Sequence, residues 1–93
     1  MKYIDKILTL EKVKFRYIAK KFGTPAYCYS YSKLKQNINR FKKSFSSFSP
    51  LICFAVKSNT NLNLVREIKK FGLGADVVSK GELMMALRAG INP

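Results

Sequence analysis

The sequence contains no histidine and no tryptophan, only two cysteines, and only five acidic residues. Each scarcity excludes something. Without histidine, and with Cys28 and Cys53 in no CxxC spacing, a zinc site is excluded and no metal is expected. Both cysteines sit in apolar runs rather than in a disulfide framework, which suits a reducing compartment, so cytoplasm is the expected location. Long hydrophobic runs are also missing: no stretch approaches the roughly 18 to 20 apolar residues that cross a bilayer. The opening MKYIDKILTL carries charges inside its apolar pattern and has no small-residue cleavage site, so no secretory signal is expected.

What remains is a folding chain with a large positive excess. Ninety-three residues suffice for one small domain and not for two. A hydrophobic fraction of 47% argues against disorder. The net charge of +13 invites a nucleic-acid reading, but its distribution favours a plainer one. Residues 1–50 hold twelve basic and two acidic side chains, and residues 51–93 hold six and three. Fourteen of the basic residues are lysines and four are arginines, the type preferred for base and phosphate forks. Lysine-rich, solvated helix faces account for the pattern, with a small RNA-binding protein as the alternative; neither nucleic acid nor membrane is the expected partner.

Along the chain, residues 1–9 suggest at most a short strand. From Val13, the apolar residues Phe15, Ile18, Ala19 and Phe22 fall at helical spacing, closed by Gly23 and Pro25. The aromatic, alternating stretch PAYCYSY (25–31) predicts a strand. Ser32 is placed to cap a helix in which Leu34, Ile38, Phe41, Phe45 and Phe48 form one stripe, ended by SSFSP. LICFAV (51–56) is apolar without alternation, as in a parallel strand covered on both faces. Asn59, Thr60 or Asn61 then caps a helix with Leu64, Ile68 and Phe71 on one face, closed by Gly72. GADVVS (74–79) predicts a second buried strand, and KGELMMALRAG a final helix. The order βαβα predicts an α/β fold with a right-handed parallel crossover. The expected division is an N-terminal helix and strand over 1–31 and the βαβα portion over 32–93. Two parallel strands do not complete an α/β core, so further strands are needed.

Side chains at the carboxyl ends of parallel strands form the sites of α/β enzymes, and Lys57 ends the first apolar strand. A lysine amine partly desolvated there is a nucleophile towards an aldehyde; a solvent-reaching lysine is the plain alternative. Asp76 and Glu82 follow in the second strand unit and the next helix. Either could orient the amine, or Asp76 could order a loop and Glu82 simply favour a helix N-terminus. Ser79 fits a strand-to-helix turn and a capping role.

Three stretches together resemble one family. CFAVKSN (53–59) is similar to the Y-A-V-K-A-N stretch of the fold-type III pyridoxal-phosphate decarboxylases. GLGADVVSKGEL (72–83) resembles their G-x-G-x-D-V-V-S-x-G-E-L motif, and FGTPAYCYS (22–30) their Y-G-T-P-x-Y-V-Y segment. Within the family the set most resembles the diaminopimelate decarboxylase branch. The resemblance implies the start of a parallel (β/α)8 TIM-like barrel of the alanine racemase-like kind, incomplete here, preceded by a segment that pairs with a β-domain. It implies pyridoxal 5'-phosphate as cofactor, Lys57 as the cofactor-binding and catalytic lysine, and Asp76 in the polar network beside it, with Glu82 less directly involved. It also implies decarboxylation of meso-diaminopimelate to L-lysine, in lysine biosynthesis, by homodimers. Two departures are Ser58, where alanine is usual, and Lys80, where glycine is common. The phosphate-gripping loop, the carboxylate for the ring nitrogen and the substrate determinants are expected beyond Pro93, in the same polypeptide or a second chain. The chain alone is therefore expected to be an inactive N-terminal part of the enzyme, or else a non-catalytic remnant.

Overall fold

The structure, a computed structural model, describes residues 1–93. They form two compact units, Met1–Ser44 and Phe45–Pro93.

The first unit opens with an antiparallel meander of β1 (Lys2–Ile4), β2 (Ile7–Leu10) and β3 (Val13–Lys14). Lys2 stands opposite Thr9, and Ile4 opposite Ile7. The turn between them is carried by Asp5 and Lys6 at φ of 49° and 60°, the left-handed pair that a two-residue hairpin demands. Thr9 is buried and its hydroxyl donates 2.9 Å to the Lys2 carbonyl. Helix α1 (Phe15–Phe22) follows directly, starting two residues later than the apolar pattern suggested because Val13 pairs with Leu10 instead. Gly23, at φ 81°, donates its N–H to the Ala19 carbonyl at 2.9 Å and ends the helix.

The strand expected over 25–31 does not form: residues 25–30 pair with no strand of this chain, and Tyr31 already belongs to α2 (Tyr31–Ser44). Alternating aromatics define two faces but not a ladder, which needs a partner edge. The cap of α2 is also two residues earlier than expected. Ser30 Oγ, not Ser32, accepts from the Lys33 N–H at 3.1 Å. Ser32 is engaged by Glu11, whose Oε1 accepts from Ser30 Oγ (2.7 Å), Ser32 Oγ (2.8 Å) and Ser32 N (2.9 Å). A carboxylate thereby sits at the positive end of the helix. These bonds, that from the Ser30 hydroxyl foremost, lower the Glu11 carboxyl from 4.5 to about 2.

The expected five-residue stripe is cut short. Helix α2 stops at Ser44, whose hydroxyl donates 3.0 Å to the Arg40 carbonyl. A 3-10 turn at Ser46–Phe48 then carries Phe48 into solvent. The serines of SFSSFS offer the backbone alternative hydrogen bonds and end the helix early.

The second unit holds the predicted strand–helix–strand–helix order: β4 (Cys53–Ala55), α3 (Leu62–Lys70), β5 (Gly74–Asp76) and α4 (Lys80–Arg88). The strands are parallel, with Cys53 opposite Gly74, Phe54 opposite Ala75 and Ala55 opposite Asp76. Phe54 and Ala75 pack with Leu62 and Val77 against a core of Val65, Ala86, Ala89 and Ile91. On the opposite strand positions, Cys53 and Asp76 are exposed. Coverage of both faces was expected for 51–56; in this chain the helices cover one. The strand itself spans only the middle of that run, and Leu51 is exposed. On α3 the buried residues are Val65 and Ile68, so the apolar face is turned by one position from the Leu64–Ile68–Phe71 line.

Candidate active site

Both strands of the parallel pair end at the same edge of the second unit. Ala55 and Asp76, their last residues, are register partners, so Asp76 stands at the carboxyl end of β5 beside the carboxyl end of β4. The chain leaves β4 through a 3-10 turn, Val56–Ser58. Lys57 therefore lies in the turn after the strand rather than on its last rung, a small correction to its expected place. Val56 is fully buried and anchors the turn, while Lys57 and Ser58 are exposed. An apolar anchor followed by an exposed lysine presents an amine at the edge where both strands finish.

Hydrogen bonds fix that turn from both sides. Ser58 Oγ donates 2.7 Å to the Ala55 carbonyl, and Asn59 N donates 3.0 Å to the Val56 carbonyl. Asn59 Oδ1 then accepts from Asn61 N at 3.0 Å. Of the three expected caps for α3, Asn61 is the one used: its Oδ1 accepts from Asn63 N (3.0 Å) and Leu64 N (3.3 Å). The bond from Ser58 was not legible in the sequence beyond the presence of a hydroxyl after Lys57.

Lys57 and Asp76 are brought to one edge but are not ion-paired. Glu82 and Ser79 do something else. Ser79 Oγ accepts from Glu82 N at 3.2 Å, and Glu82 Oε2 accepts from Val78 N at 2.9 Å. The pair is a capping box that starts α4, with the carboxylate reaching one residue further back than usual. It fixes the direction in which the chain leaves β5 just past Asp76.

A primary amine with a carboxylate nearby, at the open carboxyl end of parallel strands, fits a cofactor that presents an aldehyde. The donor set does not fit a metal, and no group of three or more His, Cys, Asp or Glu side chains is gathered anywhere. Known proteins match accordingly. The pattern of the pyridoxal-dependent decarboxylases, pyridoxal binding domain, matches residues 31–93. The chain belongs to that family. Diaminopimelate decarboxylase of Aquifex aeolicus is 43% identical over 93 residues, all of this chain and 22% of that protein. The enzyme of the same name from Archaeoglobus fulgidus is 48% identical over 86 residues, 92% of this chain and 20% of that protein. The crystal structure of diaminopimelate decarboxylase from M. jannaschii in co-complex with L-lysine superposes with a TM-score of 0.88 at 34% identity, covering 94% of this chain and 21% of that one.

The chain thus spans about a fifth of the length of the relatives it matches. It corresponds to the N-terminal part of their structures, and its parallel pair to the start of their TIM-barrel domain. The expected cofactor is the one the matched domain binds. The family match does not favour the alternative of a small RNA-binding protein. No helix is long and apolar enough to cross a membrane.

Proposed function

We propose that this chain is the cofactor-lysine portion of a diaminopimelate decarboxylase, converting meso-diaminopimelate to L-lysine and carbon dioxide in lysine biosynthesis. The observation that carries the reading is the placement of Lys57, exposed in the turn after β4, next to the strand pair that ends in Asp76. When bound, pyridoxal 5'-phosphate supplies an aldehyde to which an amine links and a ring that takes up the electrons left when the carboxylate departs. Lys57 would hold that aldehyde through Nζ. Buried Val56 and the Ser58–Ala55 hydrogen bond keep the lysine backbone in place. Asp76 would supply negative charge at the same edge.

The residues for the phosphate, the ring nitrogen and the distal end of the substrate belong to further barrel strands, from the same polypeptide or a second chain, in an assembly that we take to be a homodimer. Two unpaired cysteines suit a cytoplasmic setting for it. The L-lysine-bound relative supports an amino acid as the ligand.

A graft tests the reading. Residues 1–93 replace the matching segment of the Aquifex aeolicus enzyme, and lysine and carbon dioxide release from meso-diaminopimelate is measured. Activity that disappears in Lys57→Ala supports the proposal. A folded, cofactor-bound graft that turns over equally well with and without Lys57 overturns it.

A further inference from the structure

We infer that Ser58 is a positioning residue for the cofactor lysine: its hydroxyl locks the turn that carries Lys57, so that the amine is presented in one orientation. The inference rests on the reading of Lys57 above and deepens it. Ser58 follows Lys57 directly and is exposed, so its hydroxyl is free to bond water. It donates instead to the carbonyl of Ala55 at 2.7 Å. That carbonyl belongs to the last residue of β4, the one in register with Asp76. The bond therefore spans Lys57, tying the residue after it to the strand end before it. Its length is the usual one for a hydroxyl donor.

The turn needs such a lock. A 3-10 turn of three residues has weak backbone geometry of its own. Its only fully buried side chain is Val56, on the near side of Lys57. On the far side the chain is solvent-exposed at Ser58 and Thr60. The Asn59 amide bond to the Val56 carbonyl closes the turn backbone, and Asn59 Oδ1 hands the chain on to Asn61 and the N-terminus of α3. Ser58 connects the lysine-bearing turn by its side chain to the strand. A lysine already restricted at its backbone loses less freedom when its amine links to an aldehyde, so the lock favours the linked state without touching the cofactor.

The test uses the graft loaded with pyridoxal 5'-phosphate, with Ser58 wild type, Ser58→Ala and Ser58→Thr. Borohydride delivers hydride to the cofactor carbon of its C=N bond with Lys57 Nζ while water protonates the nitrogen, leaving a secondary amine that mass spectrometry assigns to one lysine. The fraction trapped on Lys57 is read against cofactor concentration. A net hydrogen bond of ordinary strength predicts that Ser58→Ala raises the half-saturating concentration by about two- to tenfold. Ser58→Thr, which keeps the hydroxyl, should restore it. A second measurement is amide exchange at Asn59 in the 93-residue chain itself, which should be faster in Ser58→Ala alone. Equal trapping curves for all three side chains, or unchanged Asn59 exchange, overturn the inference while leaving Lys57 in its role. Absence of label on Lys57 in the wild-type graft overturns the functional reading, and the positioning role with it.

Discussion

Ala55 and Asp76 face each other across the parallel pair of β4 and β5, and each is the last residue of its strand. Lys57 follows two residues later, in a turn that begins as the strand ends. On the reading proposed above, Asp76 is the carboxylate beside the lysine. Replacing Asp76 by Asn keeps shape and removes charge, and should weaken trapping of the cofactor on Lys57 in the graft by about two- to fivefold, the scale of an exposed charge that makes no ion pair. Titrating the trapped fraction against cofactor concentration in both proteins checks this. Unchanged trapping would assign Asp76 to the loop alone.

Glu82 should behave differently. Its carboxylate accepts from the Val78 N–H while Ser79 caps the same helix. Ser79→Ala should cost about 1 kcal/mol of stability in urea unfolding, and Glu82→Gln, which still accepts a hydrogen bond, less than that. Neither should alter which lysine takes the cofactor.

Gly74 has no room for a side chain in the present packing. A Cβ there would lie 2.9 Å from Cys53 Sγ, across the register pair that joins the two strands. Gly74→Ala should destabilise the chain by up to about 1 kcal/mol, the cost of turning the exposed Cys53 thiol aside. Cys53→Ala in the same chain removes the obstructing sulfur and should recover most of that loss, a coupling that a double-mutant cycle of urea midpoints will read.

Glu11 in the first unit makes stability depend on pH. Glu11 is ionised by three donors at the start of α2, with its carboxyl lowered from 4.5 to about 2. Because the folded value lies below the unfolded one, this contribution to stability is complete above about 4.5 and fades as the pH falls towards 2. In Glu11→Gln that acid-sensitive component should vanish. Thermal unfolding of both proteins between these limits checks the prediction.

What the sequence revealed and what it hid follow from different physics. The βαβα order was legible because helical spacing and glycine stops are local: Asn61, Gly72 and Ser79 all act where they stand. Lys57 and Asp76 stood out because a parallel strand ends predictably at its carboxyl edge. The hairpin at Asp5–Lys6 was hidden because its left-handed turn uses neither glycine nor asparagine. The Glu11 clamp on Ser30 and Ser32 bridges 19 to 21 positions, beyond any local pattern. The stretch 25–30 read as a strand because its alternation is real, but pairing depends on an edge that this chain does not offer it.

The central claim is that one lysine of fourteen, Lys57, is the cofactor lysine. The most direct measurement is borohydride trapping of pyridoxal 5'-phosphate on the graft, followed by mass-spectrometric mapping of every lysine. The account predicts label concentrated on Lys57 at low cofactor concentration, and its loss from the protein rather than its transfer in Lys57→Arg. Label spread over the exposed lysines in proportion to their number, and insensitive to Lys57→Arg, would contradict it.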